Sequence, residues 1–234
     1  MGYIMENWLL LELDHGVGKT TFSLQIAERI ASKGKNVAYV SLEMSETQLI
    51  QKLLAKKARV NSRKIRNGDL EQDELVKLGD ASVKVSQLPF SIITRANSIQ
   101  KIEVEARRLK NRGQLDLLVI DYLQLVRNEG SFKSREQEVA DISRTLKLLS
   151  LELNIPIIAL CQLNRNASKA IPTLADIRES GSIEQDADNV IFLYQRNPAN
   201  NIVTVDLQKQ RAGSIGASEL KFNKFISEFI NLER

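Results

Sequence analysis

The residues best suited to do chemistry in this sequence form one short stretch near its beginning, Asp14 to Thr21. Within it, Gly16-Val17-Gly18-Lys19-Thr20-Thr21 lies between the apolar run Leu9–Leu13 and a segment with the apolar spacing of a helix. A strand, a glycine-containing turn, Gly-Lys-Thr and a helix follow one another in this order in phosphate-binding loops. Backbone N–H groups of the turn and of the helix start bind phosphate oxygens. The stretch therefore predicts a nucleotide site formed by residues 16–21.

Two side chains of this loop have separate expected roles. Lys19 should reach the terminal phosphates of the nucleotide, and the Thr20 hydroxyl should be a ligand of Mg²⁺. The pattern is incomplete, because Leu13 stands six positions before the lysine, where a glycine is typical, and because Asp14 places a carboxylate beside the phosphates. A Gly-Lys-Thr that merely begins a helix is the alternative, but the flanking strand and helix patterns favour the nucleotide site.

Composition limits the class of protein. With 234 residues, 43% of them hydrophobic and 26% charged, the chain is predicted to be a single α/β domain over residues 1–234. One cysteine and one histidine exclude a disulfide framework and a structural zinc site. Without a membrane-length apolar run or a basic-then-apolar leader, we expect a cytoplasmic protein with no membrane partner. The net charge of +4 is compatible with nucleic-acid binding but does not indicate it.

The hydrophobic pattern predicts strands that alternate with helices up to Gln162 and mostly strands after it. Capping boxes at Ser45 with Gln48 and at Ser134 with Gln137 predict two of the helix starts. A loop is expected over 164–172. The strands are expected at 9–13, 36–43, 89–93, 116–121, 156–162, 189–194, 202–207, 218–222 and 228–232. This order favours a largely parallel central sheet flanked by helices, with an antiparallel C-terminal extension.

Polar residues follow three of these apolar strands. Asp121 ends the run Leu117–Ile120 and has the form of an acid that holds Mg²⁺, whereas Glu43 could orient and deprotonate an attacking water. Gln162 could detect the terminal phosphate. Each residue could instead be a solvated strand end, a helix cap or a partner for backbone groups. Because ligands of open parallel sheets bind at the carboxyl ends of the strands, the combination favours phosphoryl transfer.

Several short sequence motifs occur along the chain in a specific order. After Gly18-Lys19-Thr20 they are 41–45 (SLEMS), 119–125 (VIDYLQL), 159–165 (ALCQLNR), 178–188 (RESGSIEQDAD) and 209–211 (KQR). From about residue 16 to its end, the sequence resembles the C-terminal ATPase domain of the DnaB-type replicative DNA helicases. The resemblance implies a RecA-like P-loop NTPase fold. The block at 178–188 is the most discriminating, because other RecA-like ATPases share only the nucleotide motifs.

The resemblance also implies a role for each matched residue. Glu43 matches the family's catalytic glutamate, Asp121 its Walker B aspartate, and Gln162 the residue that links the γ-phosphate to DNA-contacting loops. Lys209 and Arg211 match basic residues that enter the active site of the neighbouring subunit. The loop that holds single-stranded DNA is matched by Arg178, Glu179 and Gly181. Without the resemblance, 209–211 would be interpreted as a solvated strand end and 178–188 as a capped polar loop.

The implied function is a replicative helicase motor that hydrolyses ATP with Mg²⁺ and moves on single-stranded DNA as a homo-oligomeric ring. A monomer should be nearly idle, because the active site is shared between subunits. A hexamer and 5′-3′ polarity rest on the resemblance alone, which also implies a primase and a helicase loader as partners. The family's N-terminal domain and linker helix have no match here, and the lead-in to the loop is short. Another RecA-like ATPase, such as a recombinase or a signalling ATPase, and a degenerate non-catalytic module remain alternatives.

Overall fold

One mixed sheet forms the centre of the computed structural model, which describes residues 8–13, 17–162, 172–173 and 181–232. Over those residues the sheet has nine strands in the order β3-β2-β4-β5-β1-β6-β7-β8-β9. Their bounds are β1 Trp8–Leu13, β2 Val37–Ser41, β3 Phe90–Ile93, β4 Leu117–Asp121, β5 Ile157–Gln162, β6 Asn189–Tyr194, β7 Ile202–Gln210, β8 Gly216–Asn223 and β9 Glu228–Asn231. The first six strands pair in parallel, and β7, β8 and β9 add in antiparallel fashion after β6. The predicted parallel sheet with an antiparallel extension is confirmed.

Helices cover both faces of this sheet. Their bounds are α1 Lys19–Ala31, α2 Glu46–Ala58, α3 Ser62–Asn67, α4 Gln72–Ser86, α5 Ile99–Asn111, α6 Arg135–Leu153 and α7 Gly181–Asp186. Alternate residues of the central strands point to opposite faces, so Val119 packs with α1 and α2 while Ile120 packs with α5 and α6. Both β2 and β4 are buried along their whole length, as expected of central parallel strands.

The two predicted capping boxes have different outcomes. At α2 the box is complete, since Ser45 Oγ accepts from the Gln48 backbone N–H and Gln48 Oε1 accepts from the Ser45 N–H at 2.9 Å. At α6 only half of it forms: Ser134 Oγ accepts from the Gln137 N–H, whereas Gln137 Oε1 reaches back to the Lys133 N–H at 3.1 Å. The prediction of a second reciprocal box was therefore wrong, although α6 begins at the predicted place.

Most element bounds lie within a few residues of their predicted positions. The second strand is shorter than predicted because Ser41 Oγ donates to the Met44 carbonyl at 2.7 Å and folds residues 41–44 into a turn. The sequence of 61–86 predicts short helices joined by a turn at 67–69. The turn is present, with Gly68 at φ 75°, but α4 after it is a full helix of 15 residues rather than a short one. Apart from Pro172, the loop predicted over 164–172 lies outside the described residues. In the described part of the chain, no helix is long and apolar enough to cross a membrane.

Candidate nucleotide site

The carboxyl ends of four neighbouring strands, β2, β4, β5 and β1, meet at one edge of the sheet. In register, Ser41 of β2 lies beside Asp121 of β4, and Leu13 of β1 lies beside Gln162 of β5. Glu43 follows β2 by two residues, and α1 begins at Lys19 shortly after β1. The topology thus brings four of the predicted site residues to the same edge.

The ammonium group of Lys19 lies at the centre of this edge. Its Nζ donates to Gln162 Oε1 at 3.3 Å, lies 3.6 Å from Glu43 Oε2, and sits 4.2 Å from the centroid of the Tyr122 ring. Both polar distances are long for charged partners, which typically approach to about 2.7–2.9 Å. Lys19 is therefore held loosely among acceptors that a phosphate oxygen could replace.

The part of the loop that the structure describes ends in a geometry that only glycine adopts easily. Gly18 caps α1 with φ 94° and accepts the first helical hydrogen bond, from the Phe22 N–H at 2.9 Å. A Cβ at this position would lie 2.7 Å from the Phe222 ring of β8. Val17, Thr20 and Thr21 are buried around it. Gly16 lies outside the described residues.

Aromatic residues of the C-terminal strands cover this loop. Phe222 stacks on Phe229 with 4.4 Å between the ring centroids, and Phe229 meets Phe22 of α1 edge-on at 5.3 Å. The Gln25 side chain binds both the backbone N–H and the carbonyl oxygen of Phe229, at 2.9 and 2.8 Å. The antiparallel extension therefore holds α1 and its N-terminus against the sheet.

Asp121 is fully buried at the end of β4. Its Oδ2 accepts a hydrogen bond from the Tyr39 hydroxyl at 3.1 Å, while its Oδ1 has no hydrogen-bond partner among the residues that the structure describes. Burial raises the pKa of Asp121, and the Thr20 and Tyr39 hydroxyls and the Lys19 charge oppose that rise. A buried carboxylate oxygen without a partner, with a threonine hydroxyl nearby, fits a hard divalent cation such as Mg²⁺.

A second lysine approaches the loop from α2. Lys52 Nζ donates to the Thr21 hydroxyl at 3.1 Å. Burial lowers the pKa of Lys52, and the negative charge of Asp121 partly opposes this shift. Lys52 thus links α2 to the first turn of α1, next to Thr20.

Besides Lys52, sequence reasoning missed three residues that support the site. Gln124 binds the backbone of Gln162 on both sides, accepting from its N–H at 3.3 Å and donating to its carbonyl at 3.2 Å. Tyr122 lies under Lys19, and Tyr39 binds Asp121. A tyrosine in the apolar strand 37–41 and a polar residue between Leu123 and Leu125 were the available signals.

Lys209 and Arg211 lie elsewhere, at the amino-terminal ends of the parallel strands, which we call the amino edge of the sheet. Gln210 pairs with Asn189, the first residue of β6, which is parallel to β1. Lys209 Nζ donates to the Glu184 carbonyl and Arg211 Nη2 to the Gln185 carbonyl, so both side chains cap the C-terminal end of α7. Partial burial and the nearby Arg211 charge lower the pKa of Lys209. These two residues are thus not brought together with Lys19.

Arg211 is also held by a buried carboxylate. Its Nη1 lies 2.9 Å from Asp188 Oδ1, and Lys147 Nζ lies 2.7 Å from Asp188 Oδ2. Of the predicted DNA-contacting residues, Arg178 and Glu179 lie outside the described residues, and Gly181 begins α7. Lys209 and Arg211 therefore contact the same short helix, α7, whose first residue is Gly181.

Comparison with known proteins agrees with this geometry. Residues 2–231 match the family model described as the DnaB-like helicase C terminal domain. The chain is 41% identical to the replicative DNA helicase DnaB of Geobacillus stearothermophilus and 39% identical to the replicative DNA helicase DnaC of Bacillus subtilis (strain 168), over 100% of this chain and 54% of each relative. It thus spans about half the length of these curated relatives.

Two solved structures have the same fold. One is described as an ATPase domain and the other as a DnaB-like replicative helicase with its interactions with primase, and each superposes with a TM-score of 0.92 at 33% identity. The matches cover 97% of this chain in both cases, and 85% and 58% of the respective solved chains. The predicted RecA-like fold and family are confirmed: the chain belongs to the DnaB-like helicase C-terminal domain family.

Proposed function

We propose that this chain is the ATP-hydrolysing motor domain of a replicative DNA helicase, which couples hydrolysis of ATP to movement along single-stranded DNA. The observation that carries the proposal is the meeting of Lys19, Glu43, Gln162 and Asp121 at one edge of the sheet. The names of the relatives, replicative DNA helicases, support the helicase assignment.

Binding begins at the N-terminus of α1. The backbone N–H groups of the first turn, with the positive end of the helix dipole, would bind the phosphates of ATP. Lys19 would exchange its contacts with Gln162 and Glu43 for oxygens of the terminal phosphates. Thr20 and Asp121 would hold Mg²⁺, which neutralises charge on the phosphate oxygens when it is bound.

Hydrolysis needs a base near the terminal phosphate. Glu43 is about half exposed, and its carboxylate meets Lys19 at 3.6 Å, with no closer ion pair among the described residues. When Lys19 turns to the phosphates, the Glu43 carboxylate is free to accept a proton from the attacking water. The water oxygen then bonds to the terminal phosphorus as the bond to the ADP oxygen breaks, giving ADP and phosphate.

The position of Lys209 and Arg211 supports a shared active site. Parallel strands rise about 3.3 Å per residue, so the six residues of β6 separate the two edges of the sheet by about 16 Å. An arginine at the amino edge cannot stabilise charge on a nucleotide bound at the carboxyl edge of the same copy. We therefore assign this pair to the nucleotide of a neighbouring copy in a homo-oligomer, with a hexameric ring as the expected assembly.

Three further assignments complete the proposal. Arg178, Glu179 and Gly181 are proposed to contact single-stranded DNA, where a cationic side chain and backbone N–H groups suit phosphates. Gln162 would report the presence of the terminal phosphate to the chain that follows β5. A primase is proposed as a partner, because one structural neighbour is described with primase. A helicase loader is proposed from the family resemblance alone.

The test is ATP hydrolysis measured against protein concentration, with and without single-stranded DNA. A shared site predicts a rate that rises more than linearly with concentration and increases when DNA is added. A rate that is strictly linear and unaffected by DNA would contradict the shared motor. Strand displacement on a forked substrate then separates a helicase from a recombinase or signalling ATPase, which would hydrolyse ATP without unwinding the fork.

A further inference from the structure

A line of buried hydroxyl groups connects the first helix to Asp121. Ser23, Tyr39 and Asp121 are each fully buried and lie on α1, β2 and β4. The Ser23 and Tyr39 oxygens are 2.8 Å apart, and the Tyr39 oxygen lies 3.1 Å from Asp121 Oδ2. Ser23 Oγ also donates to the carbonyl oxygen of Thr20 at 3.2 Å, in the first turn of α1 directly after the phosphate loop.

The direction of these hydrogen bonds follows from the number of available protons. An ionised carboxylate can only accept, so the single hydroxyl proton of Tyr39 must point to Asp121. Tyr39 then has only its oxygen lone pairs for Ser23, so the single Ser23 proton is shared between the Tyr39 oxygen at 2.8 Å and the Thr20 carbonyl oxygen at 3.2 Å.

This donor makes the two oxygens of Asp121 unequal. Oδ2 is engaged by Tyr39, whereas Oδ1 has no hydrogen-bond partner within the described residues although it is buried. Oδ2 is thus fixed by a rigid aromatic side chain with 0% exposure, which leaves Oδ1 as the oxygen available to a cation beside the Thr20 hydroxyl.

We propose that Tyr39 is a positioning residue of the divalent-cation site: its hydroxyl holds Asp121 Oδ2 so that Oδ1 is presented to Mg²⁺ or to its water ligand. The proposal rests on the function proposed above, in which Asp121 serves the cation. Ser23 orients the Tyr39 hydroxyl from the other side and connects this arrangement to the phosphate loop. Partners that orient a metal ligand in this way typically change metal affinity by about 10- to 100-fold when they are removed.

The experiment measures the affinity of fluorescently labelled ADP for the chain with excess Mg²⁺ and with EDTA. The ratio of the two affinities is the gain due to the cation. Tyr39→Phe removes only the hydroxyl and should reduce that gain about tenfold, while the affinity in EDTA stays within about twofold of the unchanged protein. An unchanged gain in Tyr39→Phe would overturn the proposal.

A matched control is available in the same sheet. The Tyr194 hydroxyl donates to Asp206 Oδ2 at 3.4 Å and is also buried, so Tyr194→Phe removes a tyrosine–aspartate hydrogen bond outside the site. This variant should keep the full gain from Mg²⁺. If it loses the gain to the same extent as Tyr39→Phe, the effect reflects general loosening of the fold and the positioning role is wrong.

Two more variants separate the possible failures. Asp121→Asn should abolish most of the gain; if it does not, the cation role of Asp121 fails and the proposed function is at fault. If Tyr39→Phe does not fold, Ser23→Ala combined with Tyr39→Phe removes both hydroxyls together, which leaves no buried serine hydroxyl without its tyrosine partner. That double variant should also show about a tenfold smaller gain, and a full gain in it would overturn the proposal.

Discussion

The basic side chains at the two edges of the sheet are held in different ways. At the carboxyl edge, Lys19 contacts Gln162 and Glu43 at 3.3 and 3.6 Å, through side chains that can move away. At the amino edge, Arg211 lies 2.9 Å from the buried carboxylate of Asp188 and 2.8 Å from the carbonyl of Gln185. Lys19 can therefore exchange its partners for a ligand, whereas the Arg211 guanidinium is held in a fixed position on the surface of the fold. This contrast is what a site completed by a second copy would require.

The largest expected effect is the loss of ATP turnover when Arg211 is removed. Arg211→Ala should lower the turnover of the assembled protein by about 10³-fold or more, the range found for arginines that act on a neighbouring nucleotide. The affinity of each copy for ADP should stay unchanged, because Arg211 follows the strand end that pairs with the first residue of β6, and β6 extends about 16 Å from there toward the nucleotide site. Steady-state hydrolysis and an ADP titration check both. An equal loss of ADP affinity would place Arg211 in its own nucleotide site.

The next largest effect is expected at Glu43, which contacts Lys19 at the carboxyl edge. Glu43→Gln should reduce turnover about 10²- to 10⁴-fold, as expected for loss of a general base, while ATP still binds. Single-turnover hydrolysis and a binding titration separate the two steps. Retained turnover would remove Glu43 from the catalytic role.

A smaller effect comes from the glycine that shapes the loop. Gly18→Ala places a Cβ 2.7 Å from the Phe222 ring and at φ 94°, so the aromatic cover of α1 must shift. We expect a loss of about 3 kcal/mol in the free energy of unfolding, from the left-handed backbone and the contact together. Gly34→Ala is the matched control, because its φ is 77° and a Cβ there meets nothing within 4 Å. It should cost only about 1 kcal/mol, and equal losses in denaturant unfolding would deny the ring contact any role.

The smallest predicted effect is a pH dependence of stability at the α1–α2 contact. Glu28 is buried and binds Lys56 and Lys57 at 2.8 and 2.7 Å. Burial alone raises the pKa of Glu28, but the hydrogen bonds and charges of both lysines outweigh it and leave the pKa below its usual value. A carboxyl whose pKa is lowered on folding stabilises the fold at any pH above its unfolded-state pKa. This stabilisation is lost as the pH falls through its folded-state pKa.

Glu28→Gln should therefore lower the free energy of unfolding by about 2 kcal/mol at pH 7 and by much less in acid below the folded-state pKa. Denaturant unfolding at several pH values measures this. Asp73→Asn, at the exposed ion pair with Lys77, is the control and should change stability little at any of them. A loss from Glu28→Gln that is the same at all pH values would show that shape, not charge, matters at this contact.

Much of the nucleotide edge could be predicted from sequence because each residue there ends an apolar strand. The positions of Asp121 and Gln162 follow from the length of an apolar run and from the rule that ligands bind at the carboxyl ends of parallel strands. The support around them could not be predicted in the same way. Gln124 binds the backbone of Gln162 from 38 positions away, and Tyr39 meets Asp121 only because β2 and β4 are neighbours in register.

The amino edge was harder to interpret from sequence for a physical reason. Lys209, Gln210 and Arg211 form a polar strand end with no pattern that indicates a binding partner. Their placement depends on β7 running antiparallel to β6, with a register shift between Val190 and Ile191. Asp188 and Lys147 come together with Arg211 through α6 and the start of β6, a contact that no local pattern predicts.

Mixing two inactive variants tests whether the active site is shared between copies. Glu43→Gln protein has an intact Arg211 and Arg211→Ala protein has an intact Glu43, so some interfaces in a mixed assembly regain both residues. If the site is shared, ATP hydrolysis in an equal mixture should recover to about a quarter of the unmodified rate, the share of intact interfaces expected from random pairing. A mixture no more active than its separate components, with mixed assembly demonstrated, would contradict a shared site.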